Sequence, residues 1–309
     1  MNRILVIRGG AIGDFILTLP ALKTLRDARP PAHIEILGYK HIGVIAENRF
    51  YAQAVRSIEY GQLARFFARD SELPAELADY FASFDLIVSY LYDPDQIFET
   101  NLRLTGVENL ICGPGRIVEN AGHAARQLAR PIEEMGIEVV DLSERIFPSI
   151  EDREFAREFV ASLPQPIIAI HPGSGSQAKN WPLEKWIRLF SPNNRFADLD
   201  RLLVISGEAD EAQTEQLECE WKNRGVRFAR NLPLPYLAAV LERATYIGHD
   251  SGISHLAAAA GANCILLFGT TDPDVWAPMN DNVRIVRAPN GRLDDLPIDT
   301  VGSALADAL

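Results

Sequence analysis

Short apolar runs that end in a glycine-bearing turn constrain the fold more strongly than any other feature of this sequence. The run at 4–7 stops just before Gly9 and Gly10, and apolar residues then recur at helical spacing over 15–28. Runs of this kind are typical of strands that a parallel sheet buries on both faces. Further strands are predicted at 33–37, 85–90 and 109–112. Strands that alternate with helices predict an α/β protein with doubly wound parallel sheets.

The same order of elements restarts in the second half of the chain. A charged helix is predicted at 151–162, where the first pattern has weakened. The strands that follow are predicted at 167–170, 202–205, 245–247 and 264–268. The chain has 309 residues, enough for two domains of roughly 100–200 residues each. We therefore expect an N-terminal domain at 1–150 and a C-terminal domain at 151–309, which ends in a closing helix at 301–309.

Composition argues against several classes of protein. The formal net charge of −12 argues against general binding of nucleic acid, which needs a basic face. The three cysteines are far apart in the sequence and suggest neither a disulfide framework nor a zinc site. No apolar run approaches the ~20 residues of a membrane span, so we expect a cytoplasmic protein and leave peripheral contact with the inner membrane open. No exposed apolar stripe is visible, so a monomer is expected.

The first glycine-bearing turn, RGGAIGD, ends in a carboxylate. Its glycines are spaced as GGxxG rather than as the GxGxxG of dinucleotide-binding loops, and Asp14 follows the last of them, Gly13. An acidic residue at a helix start is a good N-cap and repels a pyrophosphate. At the C-terminal edge of a parallel sheet, the same carboxylate could act as a general base on an incoming hydroxyl. Both interpretations of Asp14 stay open on spacing alone.

Two later loops carry small or hydroxyl-bearing residues at strand ends. The loop HPGSGSQAKNWP places Ser174, Gly175 and Ser176 ahead of Lys179. Small residues and hydroxyls suit phosphate oxygens, and lysine adds a positive charge. The spacing is not that of a P-loop, and a plain Gly/Ser turn would have a similar composition. The loop FGTTDP follows another strand, where Thr270 could donate to a phosphate or a ribose.

The loop GHDSGISH leads from a strand into an alanine-rich helix. Asp250 and Ser251 lie where the helix begins, and free N–H groups at a helix start can bind phosphate. His255 lies one turn further along and either faces the same site or is simply packed. The segment lacks the GxSxG spacing of a nucleophilic serine, so no hydrolase triad is predicted.

These four loops, in this order, resemble the motifs of glycosyltransferase family 9, the heptosyltransferase-like family. RGGAIGDFILTLPAL is similar to its opening segment, HPGSGSQAKNWP to its second motif, and GHDSGISHLAAAAG with LFGTTDP to its nucleotide-sugar motif. The resemblance covers nearly the whole chain. It implies the GT-B fold, in which two Rossmann-like doubly wound domains face each other across a cleft that holds the active site. It further implies that 1–150 binds the acceptor and that 151–309 binds the nucleotide-sugar.

The resemblance also implies an activity. Members of the family transfer a sugar with inversion of configuration and without a metal ion or another cofactor. The best-known donor is ADP-L-glycero-β-D-manno-heptose, and the best-known acceptor is the inner core of lipopolysaccharide. For this chain, the resemblance implies a glycosyltransferase that moves a sugar, expected to be heptose, to a lipopolysaccharide core or a related glycan or glycolipid.

Roles follow from the resemblance residue by residue. Asp14 falls on the catalytic base. Ser174 and Lys179 fall on contacts to the donor phosphates, where Lys179 would also stabilise the leaving group. Glu208 falls near the acidic residue that contacts the nucleotide ribose. The expected donor site is completed by Gly175, Ser176, Asp250, Ser251, Gly252, Ile253, His255 and Thr270.

The chain departs from the family pattern in places, and its acceptor side is less defined. His249 stands where the family usually has Asn, and the residues at 253–254 replace a more typical Pro-Met pair. The expected acceptor contacts are Gly13, beside the expected base, with Arg65 and Arg69. The two arginines would lie one helical turn apart and could meet an acceptor phosphate or carboxylate. A solvated helix face would carry the same two residues.

Two other functions stay open. A nucleotide-dependent oxidoreductase would need GxGxxG and an acidic residue after the second strand, where Gly38 and Tyr39 stand instead. A non-catalytic module that binds a nucleotide-sugar or a partner would not need the groups expected to act in catalysis. Asp14 and Lys179 are both present, which favours the enzyme.

Overall fold

The structure, a computed structural model, describes residues 2–192 and 194–309. The chain divides into two compact units, Met1–Leu142 and Ser143–Leu309, and each is described here by itself. None of the helices in the described ranges combines the length and the apolar composition that crossing a lipid bilayer requires.

The division falls before the boundary that the sequence suggests at 150. The intervening segment belongs to the second unit because its backbone is hydrogen-bonded there. The N–H of Glu144 donates to Oδ1 of Asn280 at 3.1 Å, and the N–H of Ile146 donates to the carbonyl of Ala259 at 2.9 Å.

Within the described residues, the first unit is built on a five-stranded parallel sheet. Its strands are β1 (Arg3–Arg8), β2 (His33–Gly38), β3 (Ala54–Ser57), β4 (Leu86–Ser89) and β5 (Leu110–Cys112). They pair in the order β3-β2-β1-β4-β5. The helices are α1 (Ile12–Ile16), α2 (Leu19–Ala28), α3 (Lys40–Gly43), α4 (Ala75–Ala82), α5 (Ile97–Leu104) and α6 (Ala124–Glu133). The predicted doubly wound sheet is confirmed in this unit.

The helix predicted over 15–28 is interrupted in the structure. α1 begins at Ile12, and α2 begins at Leu19 with Pro20 in its first turn. Because proline lacks an N–H and its ring clashes with the carbonyl four residues earlier, it suits the first turn of a helix and interrupts a helix interior. The earlier start places Asp14 inside the first turn of α1, so the interpretation of Asp14 as the N-cap is wrong.

The second unit, as described over 143–192 and 194–309, carries a six-stranded parallel sheet. Its strands are β6 (Ile167–Ile170), β7 (Leu202–Ser206), β8 (Arg227–Arg230), β9 (Ala244–His249), β10 (Asn263–Phe268) and β11 (Val283–Arg287). They pair in the order β11-β10-β9-β6-β7-β8. The helices are α7 (Ile150–Phe159), α8 (Leu183–Leu189), α9 (Glu211–Glu220), α10 (Leu234–Leu241), α11 (Gly252–Ala260), α12 (Pro273–Trp276) and α13 (Ile298–Ala308). This strand order is the one found in dinucleotide-binding Rossmann domains.

Each sheet has its own hydrophobic core. In the first unit, side chains of β1 and β4 pack with a group of aromatic rings that includes Phe66 and Phe81. In the second unit, Trp181 and Trp186 are almost fully buried, and their ring centroids lie 5.0 Å apart in an edge-to-face arrangement. Trp181 ends the loop after β6, so the core of this unit reaches directly beneath that loop.

In each sheet, the chain first adds strands on one side of its first strand and then crosses over and adds the remaining strands on the other side. The reversal lies between β1 and β4 in the first unit and between β6 and β9 in the second. Doubly wound proteins bind ligands at the C-terminal edge of the sheet at such a point, because the loops diverge there and leave a crevice. Asp14 follows β1, Lys179 follows β6 and Asp250 follows β9. The topology therefore brings predicted site residues to both points of reversal.

Candidate active site

Asp14 holds the turn after β1 with its own side chain. Its Oδ2 accepts a hydrogen bond from the N–H of Ala11 at 2.8 Å, as the third residue of a capping box does. Gly10 adopts a φ of +97°, and a Cβ there would lie 2.7 Å from Oδ2 of Asp14, so this turn requires glycine. The Asp14 side chain is 37% exposed, which leaves its carboxylate accessible to a substrate hydroxyl.

Arg8 lies beneath this carboxylate, and the sequence pattern predicts no role for it. Its guanidinium donates to the carbonyl of Asp14 through Nε at 3.2 Å and Nη2 at 2.9 Å, and to the carbonyl of Tyr90 through Nη1 at 3.4 Å. Nη2 also lies 3.7 Å from Oδ1 of Asp14. Burial lowers the pKa of Arg8 and the neighbouring Asp14 opposes this shift, but arginine stays charged in proteins. A buried cation therefore faces the carboxylate. The only sign of this cation in the sequence is that a charged residue, Arg8, ends an apolar strand.

The expected acceptor contacts lie in different elements. Gly13 is inside α1, next to Asp14. Arg65 belongs to a 3₁₀ helix, Gly61–Phe67, and donates to a backbone carbonyl at 3.2 Å. Arg69 lies beyond the end of that helix, and its side chain is 70% exposed. The interpretation that the two arginines lie one turn apart on one helix is therefore wrong.

In the second unit, the loops after β6 and β9 meet through an ion pair. Lys179 ends a short 3₁₀ helix, Gln177–Lys179, and its Nζ lies 2.6 Å from Oδ2 of Asp250. The side chain of Lys179 is 33% exposed and that of Asp250 is 11% exposed, so the cation is accessible from solvent. This contact brings two of the predicted site residues together.

The start of α11 follows this ion pair in the chain. Ser251 caps the helix, and its Oγ accepts a hydrogen bond from the N–H of Ser254 at 3.3 Å. The first N–H groups of a helix have no acceptor within the helix and carry the positive end of its dipole. Gly252 and Ile253 occupy that first turn. The arrangement suits an anion such as a phosphate.

The hydroxyl of Ser174 stabilises its own loop. Its Oγ lies 2.8 Å from the carbonyl oxygen of Ser176 and 2.6 Å from Oδ1 of Asn180. Gly175 and Ser176 are exposed at the tip of the loop. Among the described residues other than its two chain neighbours, none has a heavy atom within 4 Å of the position that a Cβ at Gly175 would take. The tip therefore has open space around its backbone, which a ligand could approach.

Glu208 and Thr270 flank the point of reversal in the second sheet. Glu208 begins the 3₁₀ helix Glu208–Asp210 that follows β7, and Thr270 comes shortly after β10. Both residues are exposed. Because β7 pairs with β6 and β10 pairs with β9, they lie at the same edge of the sheet, on either side of Lys179 and Asp250.

A buried histidine–aspartate pair lies at the ends of β6 and β7. Nε2 of His171 is 2.9 Å from Oδ2 of Asp210. Burial of Asp210 favours its neutral form, but the hydrogen bond and the charge of His171 outweigh that effect and lower the pKa of Asp210. A Cβ on Gly173 would lie 1.7 Å from Oδ1 of Asp210, so glycine is required beside this carboxylate. The sequence pattern predicts none of these contacts.

His249, the last residue of β9, is fully buried. Its Nε2 accepts a hydrogen bond from the N–H of Trp181 at 2.9 Å, and its Nδ1 lies 3.4 Å from the carbonyl oxygen of Gly173. Burial and, to a smaller extent, the charge of the nearby His171 lower the pKa of His249 to about 3. The imidazole is therefore neutral at physiological pH.

His255 is buried on α11 and contacts a carboxylate. Its Nδ1 lies 2.7 Å from Oε1 of Glu144, whose side chain is 1% exposed. The contact joins α11 to the segment ahead of α7. The sequence does not predict this contact. In the described ranges, neither this pair nor any other cluster provides three His, Cys, Asp or Glu side chains placed to hold a metal ion.

Comparison with known proteins identifies one family. The family model described as glycosyltransferase family 9 (heptosyltransferase) matches residues 118–301. The match spans more than half of the chain and includes the loops that carry Lys179 and Asp250.

Two curated relatives are heptosyltransferases. The chain is 21% identical over 304 residues to lipopolysaccharide heptosyltransferase 3 of Escherichia coli, a match that covers 88% of this chain and 84% of the relative. It is 27% identical over 154 residues to lipooligosaccharide heptosyltransferase 2 of Haemophilus influenzae. That second match covers 46% of this chain and 42% of the relative, so it spans less than half of the relative's length.

A solved structure shares the fold. The E. coli ADP-heptose lps heptosyltransferase II superposes with a TM-score of 0.78 at 16% identity, over 100% of this chain and 98% of that chain. Similarity at this level of identity shows the fold, which is GT-B. The fold that the loop motifs imply is thus confirmed.

Proposed function

This chain belongs to glycosyltransferase family 9, and on that premise we propose that it transfers heptose from an ADP-heptose-like donor to a lipopolysaccharide core or a related glycan. The names of its relatives support this choice of substrates, since they are lipopolysaccharide and lipooligosaccharide heptosyltransferases and one is named for ADP-heptose. We further propose that the transfer inverts the anomeric configuration and needs no metal ion.

The observation that carries the proposal is the ion pair between Lys179 and Asp250 beside the start of α11. A nucleoside diphosphate gains negative charge as it leaves the sugar, so preorganised donors accelerate the reaction. Lys179 exchanges its carboxylate partner for a phosphate oxygen, and the N–H groups at 252–253 donate to the same phosphate. Ser251 adds a hydroxyl donor, and Ser174 donates to the phosphate in place of its contacts within the loop. In this proposal, these groups provide the charge stabilisation that a divalent cation supplies in other transferases.

The nucleoside part of the donor is assigned to the flanking loops. Glu208 accepts hydrogen bonds from the ribose hydroxyls, and Thr270 donates to a phosphate or to the ribose. Both residues are exposed at the edge of the sheet that carries the ion pair. Gly175 and Ser176 allow the donor to approach the backbone closely.

Asp14 is the proposed general base. The acceptor oxygen forms a bond to the anomeric carbon, its proton passes to Asp14, and the bond from that carbon to the diphosphate oxygen breaks. The backbone contact at Oδ2 holds the carboxylate in place, and Oδ1 accepts the proton. Nη2 of Arg8 lies 3.7 Å from Oδ1 on the protein side of the carboxylate. The proposed contacts to the acceptor are Gly13, Arg65 and Arg69.

The class of acceptor suggests where the reaction takes place. A lipopolysaccharide precursor is a glycolipid, so we propose that this enzyme acts in the cytoplasm as a monomer and meets its acceptor at the surface of the inner membrane. A net charge of −12 opposes strong attraction to anionic lipids, so the contact is expected to be peripheral.

Thermal unfolding with ADP, UDP, GDP and CMP, each with and without EDTA, tests the donor class. A nucleotide at 100 times its Kd should add about 2.7 kcal/mol of stability. A shift with ADP that EDTA leaves unchanged supports the proposal. A shift with another nucleotide replaces the donor, and a shift that EDTA abolishes rejects metal independence. Transfer is then measured with ADP-heptose and lipopolysaccharide-core acceptors.

A further inference from the structure

One imidazole joins both ends of the loop that carries Ser174 and Lys179. Nε2 of His249 accepts from the N–H of Trp181 at 2.9 Å, and Nδ1 lies 3.4 Å from the carbonyl oxygen of Gly173. Gly173 directly precedes Ser174, and Trp181 follows shortly after Lys179. The side chain at the end of β9 therefore spans the whole loop that follows the neighbouring strand β6.

These two contacts require one protonation state of the ring. The N–H of Trp181 is a donor, so Nε2 must accept, and the proton of the neutral ring must be on Nδ1, where it can be donated to Gly173. An imidazolium would turn a second donor toward the N–H of Trp181 and leave that buried group without an acceptor. The environment favours the neutral ring, because burial and the nearby His171 lower the pKa of His249.

Packing holds the ring in this orientation. The ring of Trp186 meets that of His249 edge-to-face, with centroids 5.7 Å apart. Trp181 packs on Trp186 in turn, and its indole N–H donates to the carbonyl of Leu296 at 3.1 Å. On the other side of the loop, Asp210 fills the space beside the backbone of residue 173. Both ends of the loop are thus fixed to the core of the second unit.

We propose that His249 is a positioning residue for donor binding, which holds the backbone at Gly173 and Trp181 so that Ser174 and Lys179 are set for the donor phosphates. This inference rests on the proposed function of the loop as part of the diphosphate site. His249 is fully buried beneath the loop and acts through it, not on the donor itself. A small displacement of a charged group that stabilises a leaving phosphate has a large effect on the rate.

Two substitutions test the proposal. His249→Gln carries an amide oxygen at about the position of Nε2, where it can accept from Trp181, whereas His249→Leu fills similar space without polar atoms. We expect His249→Leu to raise the Kd for ADP and the KM for the donor about tenfold or more, with the KM for the acceptor unchanged. His249→Gln should recover most of the loss. Hydrogen exchange at the amide of Trp181 should accelerate in His249→Leu and return toward the wild-type rate in His249→Gln.

Trp221→Phe is the matched control, because Trp221 is buried in the same core and its ring packs on that of Phe190. It should lower the melting temperature without raising the Kd for ADP. Wild-type affinity in His249→Leu, or an equal loss of affinity in Trp221→Phe at equal loss of stability, would overturn the proposal. If the wild-type protein binds none of the nucleotides tested, the proposed function fails first. Unchanged exchange at Trp181 in His249→Leu would then still show that His249 does not hold the loop.

Discussion

Nζ of Lys179 lies 2.6 Å from Oδ2 of Asp250, although the two residues belong to loops that follow different strands. An ammonium in contact with a carboxylate is oriented before any substrate arrives. It is also partly neutralised, so a phosphate must compete with Asp250 for it. The pair thus fixes where Lys179 can act and limits how strongly it attracts anions from solution.

Removal of the cation should weaken catalysis. Lys179→Ala is expected to lower kcat/KM for the donor by about 100-fold, the usual order for one lost electrostatic contact to the transition state. Lys179→Arg keeps the charge with a different shape and should recover part of the activity. Lys222→Ala, at an exposed lysine of the same unit, is the control and should leave kcat/KM unchanged. Steady-state kinetics that show equal activity for Lys179→Ala and wild type would remove Lys179 from the mechanism.

Loss of the proposed base, Asp14, should lower turnover without weakening donor binding. Asp14→Asn keeps an oxygen that can accept from the N–H of Ala11, so the turn should survive. Turnover is expected to fall by roughly 100-fold or more, while the Kd for ADP, measured by calorimetry, stays the same. The control is Asp27→Asn, at an exposed carboxylate on α2. Near-normal turnover in Asp14→Asn would mean that another group accepts the proton.

Two glycines of one loop should differ in their tolerance of alanine. A Cβ on Gly173 would lie 1.7 Å from Oδ1 of Asp210, whereas one on Gly175 meets open space. Gly173→Ala should therefore lower the free energy of unfolding by about 1–3 kcal/mol. Gly175→Ala should change it by about 0.5 kcal/mol at most. Urea unfolding of both variants measures the difference, and equal free energies would contradict the described position of Asp210.

Acidification should destabilise the protein through His249. The pKa of this ring is lowered from 6.5 to about 3 in the folded chain. Between these values the unfolded chain binds a proton that the folded chain does not, so stability falls as the pH falls from 6.5 toward 3. The slope from this group is at most about 1.4 kcal/mol per pH unit.

His249→Asn cannot titrate, so the free energy of unfolding of this variant should depend less steeply on pH between 6.5 and 4. Urea unfolding at pH 7, 5.5 and 4.5 compares it with the wild type. Carboxylates, including Asp210, are present in both proteins and contribute to both curves. Identical slopes would show that His249 is not held neutral by its surroundings.

The strands in the middle of each sheet could be predicted from the sequence, and three at the edges could not. β3, β8 and β11 are all edge strands, and each carries exposed or half-buried charged residues such as Arg56, Arg230 and Arg284. An edge strand has one paired side and often bears charges, so it lacks the continuous apolar run that marks a buried strand.

The loops of the candidate site could be predicted, but their contacts could not. Small residues after apolar strands identify the loops with Lys179 and Asp250, because the ends of parallel strands have this pattern. The ion pair between them joins residues that are 71 positions apart, and one sequence holds no signal for such a distance. The same is true of Arg8 and His249, where a single polar residue at a strand end does not reveal its partner.

In both sheets, the strand that comes first in the chain lies in the middle. β6 pairs with β7 on one side and with β9 on the other, and the second pairing must close a long stretch of chain. Pairings of this kind form slowly in folding. Since the loops of Lys179 and Asp250 belong to the two halves of that sheet, the proposed anion site cannot form before β6 pairs with β9. A nucleotide that binds as proposed would therefore report on refolding, because its binding signal would appear only after the two halves of the sheet have joined.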